Sequence, residues 1–173
     1  MSRPPIQSFT LAACTTLSAL LMAQAPKPVT STKTNEVHMT TLAKGSFDVT
    51  LVPLAESAQK NGWGPSRMSL AKAFKGDLEA TSQGEMSAAM TEVQGSGGYT
   101  AVEKVSGRLL GRSGTFMLLH FGVMSRGVPG EWIVRVIPDS GTEELKGLTG
   151  KMTITITGKQ HAYTLEYNLP DAP

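Results

Sequence analysis

The 173-residue chain carries a formal net charge of +2, with 40% hydrophobic and 17% charged residues. This balance is typical of a globular protein, and the length corresponds to one ordinary domain with a small excess. The near-neutral charge argues against a nucleic-acid-binding protein, because such proteins normally present a dense face of lysine and arginine. Cys14 is the single cysteine, so no internal disulfide can form.

Residues 1–25 have the pattern of a cleavable signal peptide. Arg3 gives a positive start, a mostly apolar stretch covers residues 9–22, and Ala23-Gln24-Ala25 fits the small-x-small rule for cleavage. The apolar stretch is short and interrupted by Thr and Ser, which argues against a membrane span. We therefore expect a periplasmic or secreted protein whose mature form has no transmembrane span.

A lipoprotein is the competing interpretation of this segment. Leu11-Ala12-Ala13-Cys14 resembles a lipobox, whose cysteine would anchor the mature protein to lipid. The apolar stretch continues past Cys14, whereas a lipobox should end it. After the signal, residues 26–44 are polar and rich in Thr, Lys and Pro, and they are interpreted as a flexible lead-in.

From Gly45 onward the sequence alternates between apolar and polar residues, with turns rich in Gly, Pro, Asn and Ser. This pattern predicts short strands and no helix long enough for a βαβ unit. Residues 142–150 are expected to form a loop with one short helical turn. Eight strands are predicted, at residues 47–52, 68–74, 78–90, 99–110, 115–124, 132–137, 151–157 and 161–169.

Eight short strands joined mostly by tight turns predict an all-β fold, an eight-stranded antiparallel up-and-down β-barrel over residues 45–170. Closing such a sheet removes its exposed edges. Most strands have one apolar face and one face rich in Thr or charge, as expected for the inside and outside of a barrel. No internal repeat divides this single domain.

The hairpin between the fourth and fifth strands places two ionisable side chains on the inner face. If the turn over residues 111–114 is centred between Arg112 and Ser113, Val105 faces His120 and Glu103 faces Gly122. Glu103 and His120 are then diagonal neighbours, roughly 7 Å apart at Cα and within side-chain reach.

Further inward-facing polar residues extend this candidate site. Lys72 lies two residues from both Leu70 and Phe74, so the three side chains share the inner face of the strand. We therefore expect a cluster of Lys72, Glu103 and His120 in an otherwise apolar interior. Such a cluster either satisfies buried charges structurally or orients a ligand, and the structural role is the simpler interpretation. Tyr163 and Tyr167 share a face with Leu165; they are further ligand-binding candidates, although core packing is the favoured interpretation for both.

Several segments resemble the bacterial domain of unknown function 3224, in their order and spacing over roughly residues 45–170. They are Phe74-Lys75-Gly76-Asp77-Leu78-Glu79, Gly107-Arg108-Leu109-Leu110-Gly111-Arg112-Ser113-Gly114-Thr115-Phe116, residues 141–150, and His161-Ala162-Tyr163-Thr164-Leu165-Glu166-Tyr167. The resemblance implies an eight-stranded barrel of the allene-oxide-cyclase type. It implies no activity, because the family has no general function and a shared fold carries none.

The sequence leaves three functional hypotheses open and does not decide whether the protein is an enzyme. The barrel binds a small, partly apolar ligand, or it is an isomerase or hydrolase that uses Glu103 and His120 as an acid–base pair. Alternatively, it is a structural protein that associates, for example as a homo-oligomer, through outward-facing Leu119 and Phe121. Catalytic and cofactor signatures are missing and the histidines lack metal-ligand spacing, so no cofactor or metal is expected.

Overall fold

The computed structural model describes residues 40–54 and 65–170, which form eight strands and one 3₁₀ turn over Glu143–Leu145. The predicted signal peptide with Cys14, and residues 26–39 of the lead-in, lie outside the described residues. The strands are β1 (Thr41–Pro53), β2 (Ser66–Gly76), β3 (Leu78–Met90), β4 (Gly97–Leu109), β5 (Arg112–Ser125), β6 (Val128–Val136), β7 (Thr149–Thr157) and β8 (Gln160–Asn168).

The strands pair antiparallel in chain order, and β8 pairs with β1, so the predicted eight-stranded up-and-down barrel is confirmed. Because successive side chains point to opposite faces of a strand, the apolar alternation of the sequence becomes an apolar interior. In β4, for example, Ala101, Val105 and Leu109 are buried while their neighbours are exposed. Pairing is extensive around the ring except between β6 and β7, where one register pair joins Arg135 and Lys151.

Two predicted strand boundaries were wrong. β1 begins at Thr41 rather than near Gly45, so the end of the presumed lead-in already pairs with β8. The β5–β6 turn consists of Arg126 and Gly127, with φ values of 50° and 81°, and β6 begins at once at Val128 instead of after residue 130. Paired residues with positive φ are typical of tight hairpin turns, which need no further loop residues.

The predicted register of the β4–β5 hairpin was also wrong. The turn consists of Leu110 and Gly111, both with positive φ, so Leu109 pairs with Arg112 and Glu103 pairs with Leu118. Gly114 is not a turn residue but lies in β5, where an added Cβ would come within 2.4 Å of the Thr142 carbonyl oxygen. Glycine here permits the close approach of the β6–β7 connection.

One end of the barrel, which we call the filled end, is closed by apolar side chains. The connection between β6 and β7 runs along β5 there: the Thr142 amide donates to the Thr115 carbonyl, and the Ser140 hydroxyl accepts from the Met117 amide. This anchoring places Leu145 and Leu148 in the core, where both are essentially inaccessible. Asp139-Ser140-Gly141-Thr142 is therefore part of a structural turn.

Within the described ranges, no helix is long and apolar enough to cross a membrane.

Candidate ligand-binding site

Lys72, Glu103 and His120 meet inside the barrel, as the sequence predicted. The Lys72 ammonium donates to Glu103 Oε1 at 2.7 Å, and His120 Nε2 lies 2.7 Å from the same oxygen. The Ser82 hydroxyl donates to the other oxygen, Oε2, at 2.5 Å. All four residues are buried, so a carboxylate is held between three polar side chains in an apolar interior.

The alternation of adjacent strands brings this cluster together. Glu103 on β4 is one register step from His120 on β5, because Glu103 pairs with Leu118 and Ala101 pairs with His120. On its other side Glu103 faces Gly84 on β3, where a Cβ would meet Glu103 Cβ at 2.8 Å. Glycine at position 84 therefore leaves the space that the glutamate occupies.

The surroundings of Glu103 keep its side chain ionised. Burial raises the pKa of Glu103, but the hydrogen bond from His120 and the charge of Lys72 outweigh burial and hold the pKa at about 2. Burial lowers the pKa of Lys72 more strongly than the nearby Glu103 raises it. The Lys72 ammonium also lies 4.9 Å from the centre of the Phe47 ring, a cation–π contact that partly replaces lost hydration.

An inner cavity of about 140 Å³ lies above this cluster, toward the end of the barrel opposite the filled end; we call that end the cavity end. Lys72 and His120 line the cavity, and its other walls are mostly apolar or aromatic. Phe47 stacks on His161 at a centroid distance of 5.1 Å on one side of it. The remaining wall residues include Val49, Leu51, Leu70, Ala101, Ile154 and Ile156.

An outer cleft of about 220 Å³ adjoins the inner cavity. Met86, Tyr99 and Trp132 line both spaces and separate them as a collar. The Tyr99 ring packs where a Gly122 side chain would stand, since a Cβ at that position would lie 2.5 Å from the ring. Burial raises the pKa of Tyr99, although Trp132 opposes this change. The collar residues thus form part of the wall of both spaces.

Tyr163 and Tyr167 do not line either space. The Tyr163 hydroxyl accepts from the Leu78 amide at 2.9 Å and donates to the Lys75 carbonyl at 3.2 Å, so it ties β8 to the β2–β3 turn. Tyr167 is buried in the core near the start of β1, paired with Thr41. Both belong to the part of the barrel toward the filled end, in agreement with the packing interpretation.

The sequence interpretation did not include Ser82 or the collar among the site residues. Ser82 lies in a strand rich in Ser, Thr and Ala, where nothing in its type distinguishes an inward from an outward serine. The alternation of the strands offered a signal for both, because Ser82 lies an even number of residues from the buried Leu78. Counting in steps of two from Leu78 reaches Met86, and from Leu109 it reaches Tyr99. Residues 40–54 and 65–170 contain no group of three His, Cys, Asp or Glu side chains that could hold a metal ion.

Comparisons with known proteins agree on one family. The family model described as "Protein of unknown function (DUF3224)" matches residues 43–167. A crystal structure of a DUF3224 protein of unknown function from Shewanella oneidensis MR-1 has 46% sequence identity and a TM-score of 0.71, covering 77% of this chain and 99% of that one. No curated protein shows significant similarity. The chain thus belongs to the DUF3224 family.

Proposed function

We propose that the barrel binds a small, partly apolar ligand at its cavity end. The observation that carries the proposal is the inner cavity of about 140 Å³, with apolar walls and two polar side chains, Lys72 and His120, at its base. Small-molecule sites are usually concave and apolar, with a few polar groups that fix orientation. An eight-stranded barrel has room for one such ligand.

A fluorescent neutral probe, N-phenyl-1-naphthylamine, tests this proposal with two matched variants. Ala88 lines the outer cleft, whereas its neighbour Ala89 points outward from the same strand. We expect the probe to bind the unchanged protein and Ala89→Phe equally, and Ala88→Phe about tenfold more weakly, because the new ring fills the cleft. Fluorescence titration measures this. Absent binding, or equal binding to all three proteins, contradicts the proposal.

The enzyme hypothesis receives less support from the geometry. Glu103 does not line the cavity, and its carboxylate oxygens accept hydrogen bonds from Lys72, Ser82 and His120. With a pKa of about 2 it is a weak base at neutral pH. Glu103 therefore serves to position Lys72 and His120, which are the two members of the cluster that line the cavity.

The outer face of β5 supports the third hypothesis, association between barrels. Leu119 and Phe121 point outward as predicted, with 46% and 37% of their surface exposed, and Val102 pairs with Leu119 beside them. Apolar residues grouped on an exposed sheet face favour contact with another protein surface. Oligomerisation through this face stays a prediction.

Export and the detailed barrel type are proposed as well. Residues 1–25 carry the signal pattern described above, so we propose cleavage after Ala25 and a periplasmic or secreted location, with acylation at Cys14 as the alternative. The intact mass of the protein recovered from a bacterial host distinguishes these products. The sequential order of eight antiparallel strands supports assignment to the allene-oxide-cyclase type of barrel, which implies no shared chemistry.

A further inference from the structure

We infer that the ligand of the inner cavity carries a carboxylate, held between Lys72 and His120, and that its binding takes up one proton. The inference rests on the proposed function, because it assigns chemistry to the ligand of that cavity. It is carried by the hydrogen-bonding groups that Lys72 and His120 leave unused at the base of the inner cavity.

Lys72 has donors to spare. An ammonium group has three N–H donors and accepts nothing. One donor is directed at Glu103 Oε1, and the Phe47 ring lies beside the group. In the described part of the chain no other hydrogen-bond acceptor is bound to this ammonium. Because Lys72 lines the inner cavity, the remaining N–H groups are available to an oxygen of a ligand.

His120 determines how many protons accompany the ligand. Glu103 is ionised and can only accept, so the imidazole nitrogen Nε2 beside it carries the proton. In the neutral ring Nδ1 is then a bare lone pair, and no partner for it exists among residues 40–54 and 65–170. A carboxylate oxygen would be repelled by this lone pair. One added proton, placed on Nδ1 or on the carboxyl group, converts the repulsion into a hydrogen bond.

The charges around the cavity favour an anion once that proton is bound. Lys72 and Glu103 cancel each other, so the cluster is neutral with a neutral imidazole and carries +1 with an imidazolium. The other titratable groups that face the cavity are Tyr99 on β4 and His161 on β8; neither is an anion at neutral pH. β1, β3, β6 and β7 contribute Phe47, Met86, Trp132 and Ile154 there, all uncharged.

The apolar walls of the inner cavity indicate that the rest of the ligand, beyond its carboxylate, is apolar. A carboxylate at the base leaves its body among Leu51, Leu70 and Ile154, and beyond the collar lies the outer cleft of about 220 Å³. An unbranched acid of medium chain length fits this sequence of a polar base and an apolar passage. Octanoate is a suitable probe, and 1-octanol is its matched neutral control with the same chain.

Isothermal titration calorimetry of the full chain with both probes tests the inference. At pH 6 we expect octanoate to bind at least about tenfold more tightly than 1-octanol, and its affinity to fall by up to about tenfold per pH unit as the pH rises, because its binding takes up a proton. In buffers of different ionisation enthalpy, octanoate binding should take up close to one proton and octanol binding none. Equal affinities without proton uptake overturn the inference and leave the proposed function standing. If neither probe binds, both fail.

Variants locate the effect at the cluster. Lys72→Met combined with Glu103→Gln removes both buried charges together, and it should abolish the preference for octanoate over 1-octanol. The exposed pair of Lys75 and Asp48 on the same hairpin gives the matched control, Lys75→Met with Asp48→Asn, which should retain the preference. His120→Gln keeps the Lys72–Glu103 pair and should lose the proton uptake. Retained proton uptake in His120→Gln overturns the inference.

Discussion

Glu103 makes the stability of the barrel sensitive to acid. Its pKa is held at about 2 in the folded protein against an ordinary value of 4.5. A carboxyl group whose pKa is lower in the folded state stabilises the fold above its unfolded pKa, and this stabilisation is lost as pH falls toward the folded value. We expect the free energy of unfolding to fall by the order of 3 kcal/mol between about pH 4.5 and 2 because of this residue.

Urea unfolding at stepwise lower pH measures this loss, and comparison with Glu103→Gln isolates it. The difference in stability between the unchanged protein and Glu103→Gln should shrink over that pH range. Glu166→Gln, which removes an exposed ion pair with Lys151, should keep the full pH dependence. A constant difference between the unchanged protein and Glu103→Gln would contradict the assignment.

At the level of single residues, the alternation of side chains along each strand predicted which of them point into the barrel. Lys72, Glu103 and His120 each lie between apolar residues of the same face, so their inward direction could be read from the sequence. Their meeting at one carboxylate oxygen could not, because it depends on the stagger between strands and on the room that Gly84 leaves. The cavity was equally hidden, since no local pattern reveals where a barrel interior is left unfilled.

At the level of elements, Tyr163 fastens β8 to the β2–β3 turn. Its hydroxyl satisfies the buried Leu78 amide, which would otherwise lack a partner at that position. We expect Tyr163→Phe to lower the free energy of unfolding by about 1–3 kcal/mol, because a buried donor is left unpaired. Tyr167→Phe is the matched control, as no hydrogen bond of its hydroxyl is present in the described part of the chain. It should cost less than about 0.5 kcal/mol.

Urea unfolding of both variants checks this contrast, and neither change should alter ligand affinity, because both tyrosines lie away from the cavity. Similar losses in the two variants would contradict the role assigned to the hydrogen bonds of the Tyr163 hydroxyl. A loss of probe binding in Tyr163→Phe would contradict the placement of the site at the cavity end.

The strands themselves could be predicted well from the sequence. The predicted register of the β4–β5 hairpin was wrong, but this error did not affect the candidate site. The predicted centre of the turn lay two residues too far along the chain, because Gly111 and Gly114 look like one Gly-rich turn. Moving the centre of the turn by two residues shifts each cross-strand pairing by four, and since the side-chain period of a strand is two, every side chain stays on its face. Glu103 and His120 therefore remained inward-facing diagonal neighbours despite the wrong register. A pairing shifted by an odd number of residues would have placed Glu103 and His120 on opposite faces of the sheet.

At the level of the whole molecule, the barrel has a filled end that supplies stability and a cavity end that supplies space. We expect Leu148→Ala at the filled end to cost about 2–5 kcal/mol, because Leu148 is fully buried and its removal leaves a cavity. The same substitution at Leu51, which is 42% exposed beside the inner cavity, should cost less than about 1 kcal/mol. Thermal and urea unfolding of the two variants compare the ends.

Equal costs at the two ends would mean that the space beside Leu51 is closed in solution. Under the proposed function, this asymmetry separates the residues that stabilise the fold from those that would bind the ligand. Substitutions that reshape the wall around Leu51 and Ala88 leave the packing around Leu148 unchanged.

The single register pair between β6 and β7 divides the ring of backbone hydrogen bonds at one seam. Arg135 and Lys151 are like-charged residues opposite each other there, and the Lys151 ammonium pairs instead with Glu166 on β8, at 3.1 Å. The barrel is thus a sheet paired continuously from β7 through β8 and β1 to β6, and the single β6–β7 register pair closes it. In a hydrogen-exchange experiment, we expect the backbone amides of this β6–β7 seam to exchange first, through brief local openings that leave the remaining strand pairs intact.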